Sequence, residues 1–95
     1  KQIRGIVVVR ENDTATQLSD LEGETLAFPA PAAFAATILV RAELERLGVS
    51  YTPKYVSSHD SVYLSVARGF VKAGGGIERT FSSALESGLE GARVL

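Results

Sequence analysis

The chain has no cysteine, no methionine and no tryptophan, and only one histidine, His59, among its 95 residues. Without thiols there is no thiol nucleophile, no disulfide staple and no soft-metal site, so stability has to come from packing. One histidine, with no H-E-x-x-H pattern and no Asp-rich loop, leaves no recognisable set of metal ligands, and no cofactor is expected. An excess of either charge is lacking as well: ten Lys and Arg are mixed with eleven Asp and Glu, for a formal net charge of −1. No basic stripe is available to concentrate DNA or RNA, so nucleic acid is not an expected partner. No apolar run approaches the roughly 20 residues that cross a bilayer, and no signal-peptide core follows Lys1. There is no initiating methionine, which suggests an excised or processed piece whose targeting signal was left behind.

Hydrophobic side chains make up 45% of the chain, without Pro-rich or charge-rich tracts, which fits one small α/β domain over residues 1–95. Ile3–Val9 is almost continuously apolar and β-branched, the pattern of a strand covered on both faces. Residues 11–17 read as a loop, and Asp20–Gly23 supplies turn chemistry before a short strand, Thr25–Phe28, that Pro29 and Pro31 end. Ala32–Leu47 is helical in composition and stops at Gly48, with Ala36, Val40, Leu44 and Leu47 facing the core and Arg41 and Glu45 on the wet side. Its first half has only Thr37 as a polar side chain, so it is either buried between layers or faces another domain. Lys54–Ser57 predicts a third strand, and Asp60–Phe70 a helix with Val62, Val66 and Phe70 on one face. Lys72–Ile77 is a strand interrupted by Gly74, Gly75 and Gly76, followed by a short helix at Phe81–Leu89 and a last strand at Ala92–Leu95. Strands alternating with helices predict a three-layer αβα lobe around a five-stranded, mostly parallel sheet.

In such sheets ligands bind beyond the strand ends, which directs attention to the junctions. Around Ala33, Phe34 and Ala35 no Ser, Thr, Asp or Asn caps the helix start, so several backbone N–H groups need a partner. An anion fits the free donors and the positive dipole end, and water serves too. At Ser57-Ser58-His59-Asp60-Ser61, Ser58 and His59 make a polar cradle for an oxyanion, or else Ser58 or Asp60 is an ordinary cap with His59 a bystander. Glu78, Arg79 and Thr80 are expected at a strand end near the same crevice, where Arg79 either forks onto an oxyanion or pairs with Glu78 or Glu86. The glycine triplet is no P-loop, since G-x-x-x-x-G-K-[ST] is absent, and it suits close approach of a helix or ligand, or a bulge. Tyr51, Tyr55 and Tyr63 read as packing residues with hydroxyls at the surface. Ser58, His59 and Asp60 are neighbours in sequence, which is not the spatial arrangement of a catalytic triad, and no enzyme is expected.

An ordered set of short motifs runs through the chain: Asp20-Leu21-Glu22-Gly23 to Ala27-Phe28, Val40-Arg41-Ala42-Glu43-Leu44, Ser57-Ser58-His59-Asp60 and Val71-Lys72-Ala73. The set resembles the second lobe of PhnD-like substrate-binding proteins, the type 2 periplasmic receptors of phosphate, phosphite and phosphonate ABC transporters. The resemblance implies reversible binding of a small oxyanion, with His59 in the place of the histidine that holds phosphonate oxygens. Where the family's hydroxyl cluster would stand, this chain has Ala33, Phe34 and Ala35, so backbone donors remain and a ligand with an apolar part against Phe34 also fits. The resemblance further implies a facing first lobe, a membrane permease or a sensor kinase as partner, and a periplasmic or extracytoplasmic location. The alternative is a ligand-sensing or interaction module of a membrane-bound signalling protein, with Phe34 contacting a partner or a second copy in a homodimer.

Overall fold

The computed structural model describes residues 3–95, and Lys1 lies outside them. Strand β1 (Gly5–Arg10) carries Val7, Val8 and Val9, all buried, as expected when both faces are covered. A loop and one 3-10 turn (Leu18–Leu21) lead to β2 (Glu24–Phe28). Six residues of π-helix, Phe34–Leu39, then run without a break into helix α1 (Val40–Arg46). There follow β3 (Tyr51–Tyr55), α2 (His59–Ala67), β4 (Ala73–Ile77), α3 (Glu78–Glu86) and β5 (Ala92–Val94).

The five strands form one sheet in the order β3-β2-β4-β1-β5. It is mixed rather than mostly parallel: β2 is parallel to β3 and β4, whereas β1 is antiparallel to β4 and β5. The connections explain the difference. Successive strands joined through a helix point the same way, because a crossover returns the chain to its starting end. β1 reaches β2 through a loop and a 3-10 turn, with no crossover helix, and runs against the others.

Alternation of side chains along the strands feeds two apolar layers. Val7, Val9, Leu26 and Phe28 pack with Val40 and Leu44 of α1, while Val8 and Ala27 pack on the other face with Val62, Tyr63 and Val66 of α2 and Phe81 of α3. The result is the three-layer αβα arrangement. Leu47 and Phe70, expected on core faces, are exposed instead, because each lies beside a positive-φ glycine, Gly48 or Gly69, that ends its helix. β3 lies earlier than the expected Lys54–Ser57, in register with β2 from Glu24 to Phe28, and includes Pro53, which a strand tolerates when it lies at the edge of a sheet. At the opposite edge β5 is only three residues long, and the Arg93 guanidinium beside it donates to the carbonyls of Asp13 and Ala15 (2.7 and 2.8 Å), fastening the loop after β1.

The central strand, β4, has almost no side chains, and both helical layers use the space. A Cβ on Gly75 would overlap the carbonyl oxygen of Ala36, one on Gly74 would overlap Val62, and one on Gly76 the Tyr63 hydroxyl. On β1, Gly5 is covered in the same way by the carbonyl of Ala35. The triplet therefore serves close helix approach. Since the obstacle at Gly75 is backbone, which cannot rotate aside, Gly75→Ala is expected to cost about 1–3 kcal/mol through overpacking. Urea unfolding checks this, and a midpoint equal to that of the wild type would mean that the π-helix rides further from the sheet.

Candidate functional site

β2, β3 and β4 are parallel neighbours, so the segments that leave their C-terminal ends emerge at one end of the sheet. Those segments carry Ala33–Ala35, Ser58–His59 and Arg79 respectively. With strands about 4.8 Å apart, the ends of β2 and β4 are adjacent and that of β3 is one strand further. From β2 the chain crosses by α1 on one face, and from β4 it leaves by α3 on the other, so a topological switch point lies between them. Ligands bind at such points.

At the first junction Ala33 is the extended N-cap residue of the π-helix and offers no side-chain cap. Its carbonyl accepts from the N–H groups of both Thr37 and Ile38, at 3.0 Å each. The N–H groups of Phe34, Ala35 and Ala36 therefore precede the first helical hydrogen bond. Phe34 is 64% exposed, while Ala35 is buried.

At the second junction Ser58 caps α2: its Oγ accepts from Ser61 N at 3.1 Å, and Ser57, Ser58 and Ser61 share hydroxyl contacts of 3.1 Å. The ordinary capping role of Ser58 is thus present, and it occupies one lone pair of that hydroxyl. His59 is the first residue of the helix and is half-buried. Its Nε2 is enclosed and has no hydrogen-bond partner among the described residues. Buried polar atoms seldom go unpaired, so this one calls for a partner.

The third junction differs from the expectation. Glu78, Arg79 and Thr80 do not extend the strand but form the first turn of α3, which springs from Ile77 with no capping side chain and so leaves no sequence signal. Arg79 is exposed and makes no ion pair among the described residues. It lines a concavity of about 650 Å³ with Arg4, Glu78, Glu86, Thr80, Ser82 and Ser83. Arg4 enters because β1 begins at this end of the sheet, and its carbonyl accepts from Glu78 N at 3.0 Å. None of Arg4, Ser82 and Ser83 was marked by the sequence, since their convergence depends on the antiparallel course of β1 and the early start of α3. The concavity does not include Ala33–Ala35, Ser58 or His59. Among the described residues no three His, Asp or Glu side chains gather as metal ligands.

Tyr63 is also placed differently from the expectation. It is fully buried, and its hydroxyl accepts from Ile77 N (3.1 Å), lies 3.2 Å from Ile77 O and meets Thr80 Oγ1 at 2.6 Å. It ties α2 to the β4–α3 junction. Tyr51 and Tyr55 keep their hydroxyls nearer the surface, both bonded to the Arg41 guanidinium, with Tyr51 also donating to Glu45 at 3.1 Å.

The whole chain, residues 1–95, matches the family model of the phosphonate periplasmic substrate-binding proteins of ABC transporters. The chain belongs to this family. Solved structures agree on the fold. PhnD1 from Prochlorococcus marinus, in complex with methylphosphonate, has a TM-score of 0.84 at 15% identity over 99% of this chain and 40% of that one. A Xanthomonas citri protein bound to chloride ion gives 0.84 at 18% over 97% and 40%. The aliphatic sulphonate binding protein SsuA from Escherichia coli gives 0.76 at 25% over 97% and 31%. The chain thus spans about two fifths of the length of the first structures it matches. A search of curated protein sequences gives no significant match.

Burial raises the pKa of the Tyr63 hydroxyl above its ordinary value of 10.0, against the lowering effect of Thr80 and Ile77. A group whose folded pKa is raised supports stability below the unfolded value, and that support is lost as pH rises through the folded one. Wild type is therefore expected to lose stability above about pH 10, and Tyr63→Phe to lose about 1–2 kcal/mol at neutral pH and show a flatter alkaline limb. Unfolding curves between neutral and strongly alkaline pH test both; an identical alkaline slope in the variant would remove Tyr63 as the responsible group.

Proposed function

We propose that the chain is the second lobe of a two-lobed receptor of an ABC transporter, located in the periplasm, and that it binds a small oxyanion of the phosphonate type without covalent chemistry. The observation that supports this reading is that two helix starts with unsatisfied polar groups leave the same end of the sheet. The N–H groups at Phe34–Ala36 have no side-chain cap, and one strand away the Nε2 of His59 lacks a partner among the described residues. A helix start with free N–H groups suits an anion, and a histidine with an unpaired ring nitrogen gains a hydrogen bond by turning toward one. Arg79 and Arg4 lie further along the same end of the sheet, in a concavity where Glu78 and Glu86 balance their charge. β1 starts at this end and β5 runs back toward it, so strands continuing from either would cross beside the cleft, as a hinge to a facing lobe requires. Membrane permease contact would then belong to the two-lobed receptor.

One wall of a cleft binds weakly, because orientation and desolvation need both. Calorimetric titration of the lobe with phosphate, phosphite, methylphosphonate and sulfate is expected to give millimolar affinity at best. His59→Ala should weaken it about fivefold or more, by loss of one hydrogen bond, without lowering the melting temperature of the free lobe. Equal affinity in the variant would count against the site.

A sensory or interaction module remains the second reading, favoured by one observation: Phe34, Ile38 and Leu39 of the π-helix are 64%, 45% and 41% exposed. On that reading the lobe self-associates through this patch, and Phe34→Ser makes it monomeric. Sedimentation of both proteins decides, and a dimer persisting in the variant sinks it.

A further inference from the structure

The only buried polar side chain in the apolar run Phe34–Leu39 is Thr37, 1% exposed. Threonines inside helices usually bond back to a carbonyl one turn earlier. Thr37 reaches seven residues back: its Oγ1 donates to the carbonyl of Ala30 at 2.5 Å. That carbonyl also accepts from Ala33 N at 3.2 Å, and the carbonyl of Ala33 in turn accepts from Thr37 N and Ile38 N. Two carbonyls, Ala30 and Ala33, thus receive four donors, and Thr37 supplies two of them. The loop between has little else to hold it, because Pro29 and Pro31 have no N–H to give.

We propose that Thr37 is a positioning residue for the anion site: its hydroxyl fixes the Ala30–Ala33 loop so that the N–H groups of Phe34, Ala35 and Ala36 are held open toward the cleft. The inference rests on the site reading given above. Ala35 and Ala36 anchor the other side of the same turn by placing their carbonyls on Gly5 and Gly75, so the segment is gripped from the sheet and from the loop. Without the hydroxyl the turn keeps its sheet contacts but loses its hold on the loop. Ala30–Ala33 then becomes free to fold back over the donors or to wind the π segment into ordinary helix. A hydroxyl at this position therefore acts on an anion that it does not touch.

Thr37→Val keeps the shape and removes the hydroxyl, and Thr37→Ser keeps the hydroxyl. Amide exchange, read by NMR on the lobe without any anion, is expected to quicken about tenfold at Ala33 in Thr37→Val and to stay near wild type in Thr37→Ser. Exchange at Ala33 unchanged in Thr37→Val overturns the inference whatever any anion does. Titration with methylphosphonate, and with inorganic phosphate, followed on the amides of Phe34, Ala35 and Ala36, is expected to move these signals in wild type and Thr37→Ser. In Thr37→Val the apparent affinity should fall about tenfold. If wild type responds and Thr37→Val responds equally, the positioning role is overturned while the site stands. If the wild-type amides respond to neither anion, the site reading fails and the positioning role falls with it. If Thr37→Val fails to fold, Thr37→Ala, which also lacks the hydroxyl, takes its place in both measurements, with the same results supporting or overturning the inference.

Discussion

Everything at the cleft end depends on a central strand with almost no side chains. β4 lies in the middle of the sheet, and Gly74, Gly75 and Gly76 let α2 press on one face while the π-helix presses on the other. Interiors are packed to crystal density, so the space a strand gives up is taken by whatever lies above it. Here it is taken by the Ala36 carbonyl of the π-helix and by Val62 and the ring of Tyr63 from α2. These belong to segments that enter or brace the switch point. Close approach to the strand therefore sets the height of the helix start above the sheet, and with it the place where the free N–H groups end.

The uncapped starts of the π-helix and of α3 contrast with the capped start of α2. Ser58 caps the first turn of α2 from within the chain, and its neighbour His59 is left with a ring nitrogen that has no partner among the described residues. At the π-helix the chain offers methyl groups and a phenyl ring instead of a cap. A helix end with free donors is stable only where water or a ligand reaches it. The lobe therefore divides its polar duties: one junction is closed by its own serines, the first N–H of α3 is taken by the Arg4 carbonyl, and the start of the π-helix has no side-chain cap.

Much of this was legible in the sequence. The apolar β-branched run of β1, the proline stop after β2 and the left-handed glycines after the helices mark the elements because each acts locally. The order of motifs carried the family. What was not legible depends on contacts distant in sequence. The direction of β1 follows from a missing crossover helix rather than from any residue within it. Tyr63 looks like a surface tyrosine until Gly76 provides room for its ring and Ile77 and Thr80 provide partners for its hydroxyl. The start of α3 was hidden because Ile77 is no capping residue. The three strand-to-helix junctions follow from chain order alone, while Arg4 and the serines of α3 came into view only with the strand register.

The two outermost strands have a consequence of their own. An open row of main-chain donors and acceptors is a template on which another chain can add, and copies adding edge to edge would grow into fibrils. Pro53 interrupts that row on β3, and on the other side β5 is three residues long beside a loop that Arg93 holds in place. Both edges of the sheet are therefore poor seeds for polymerisation, a protection that needs no disulfides.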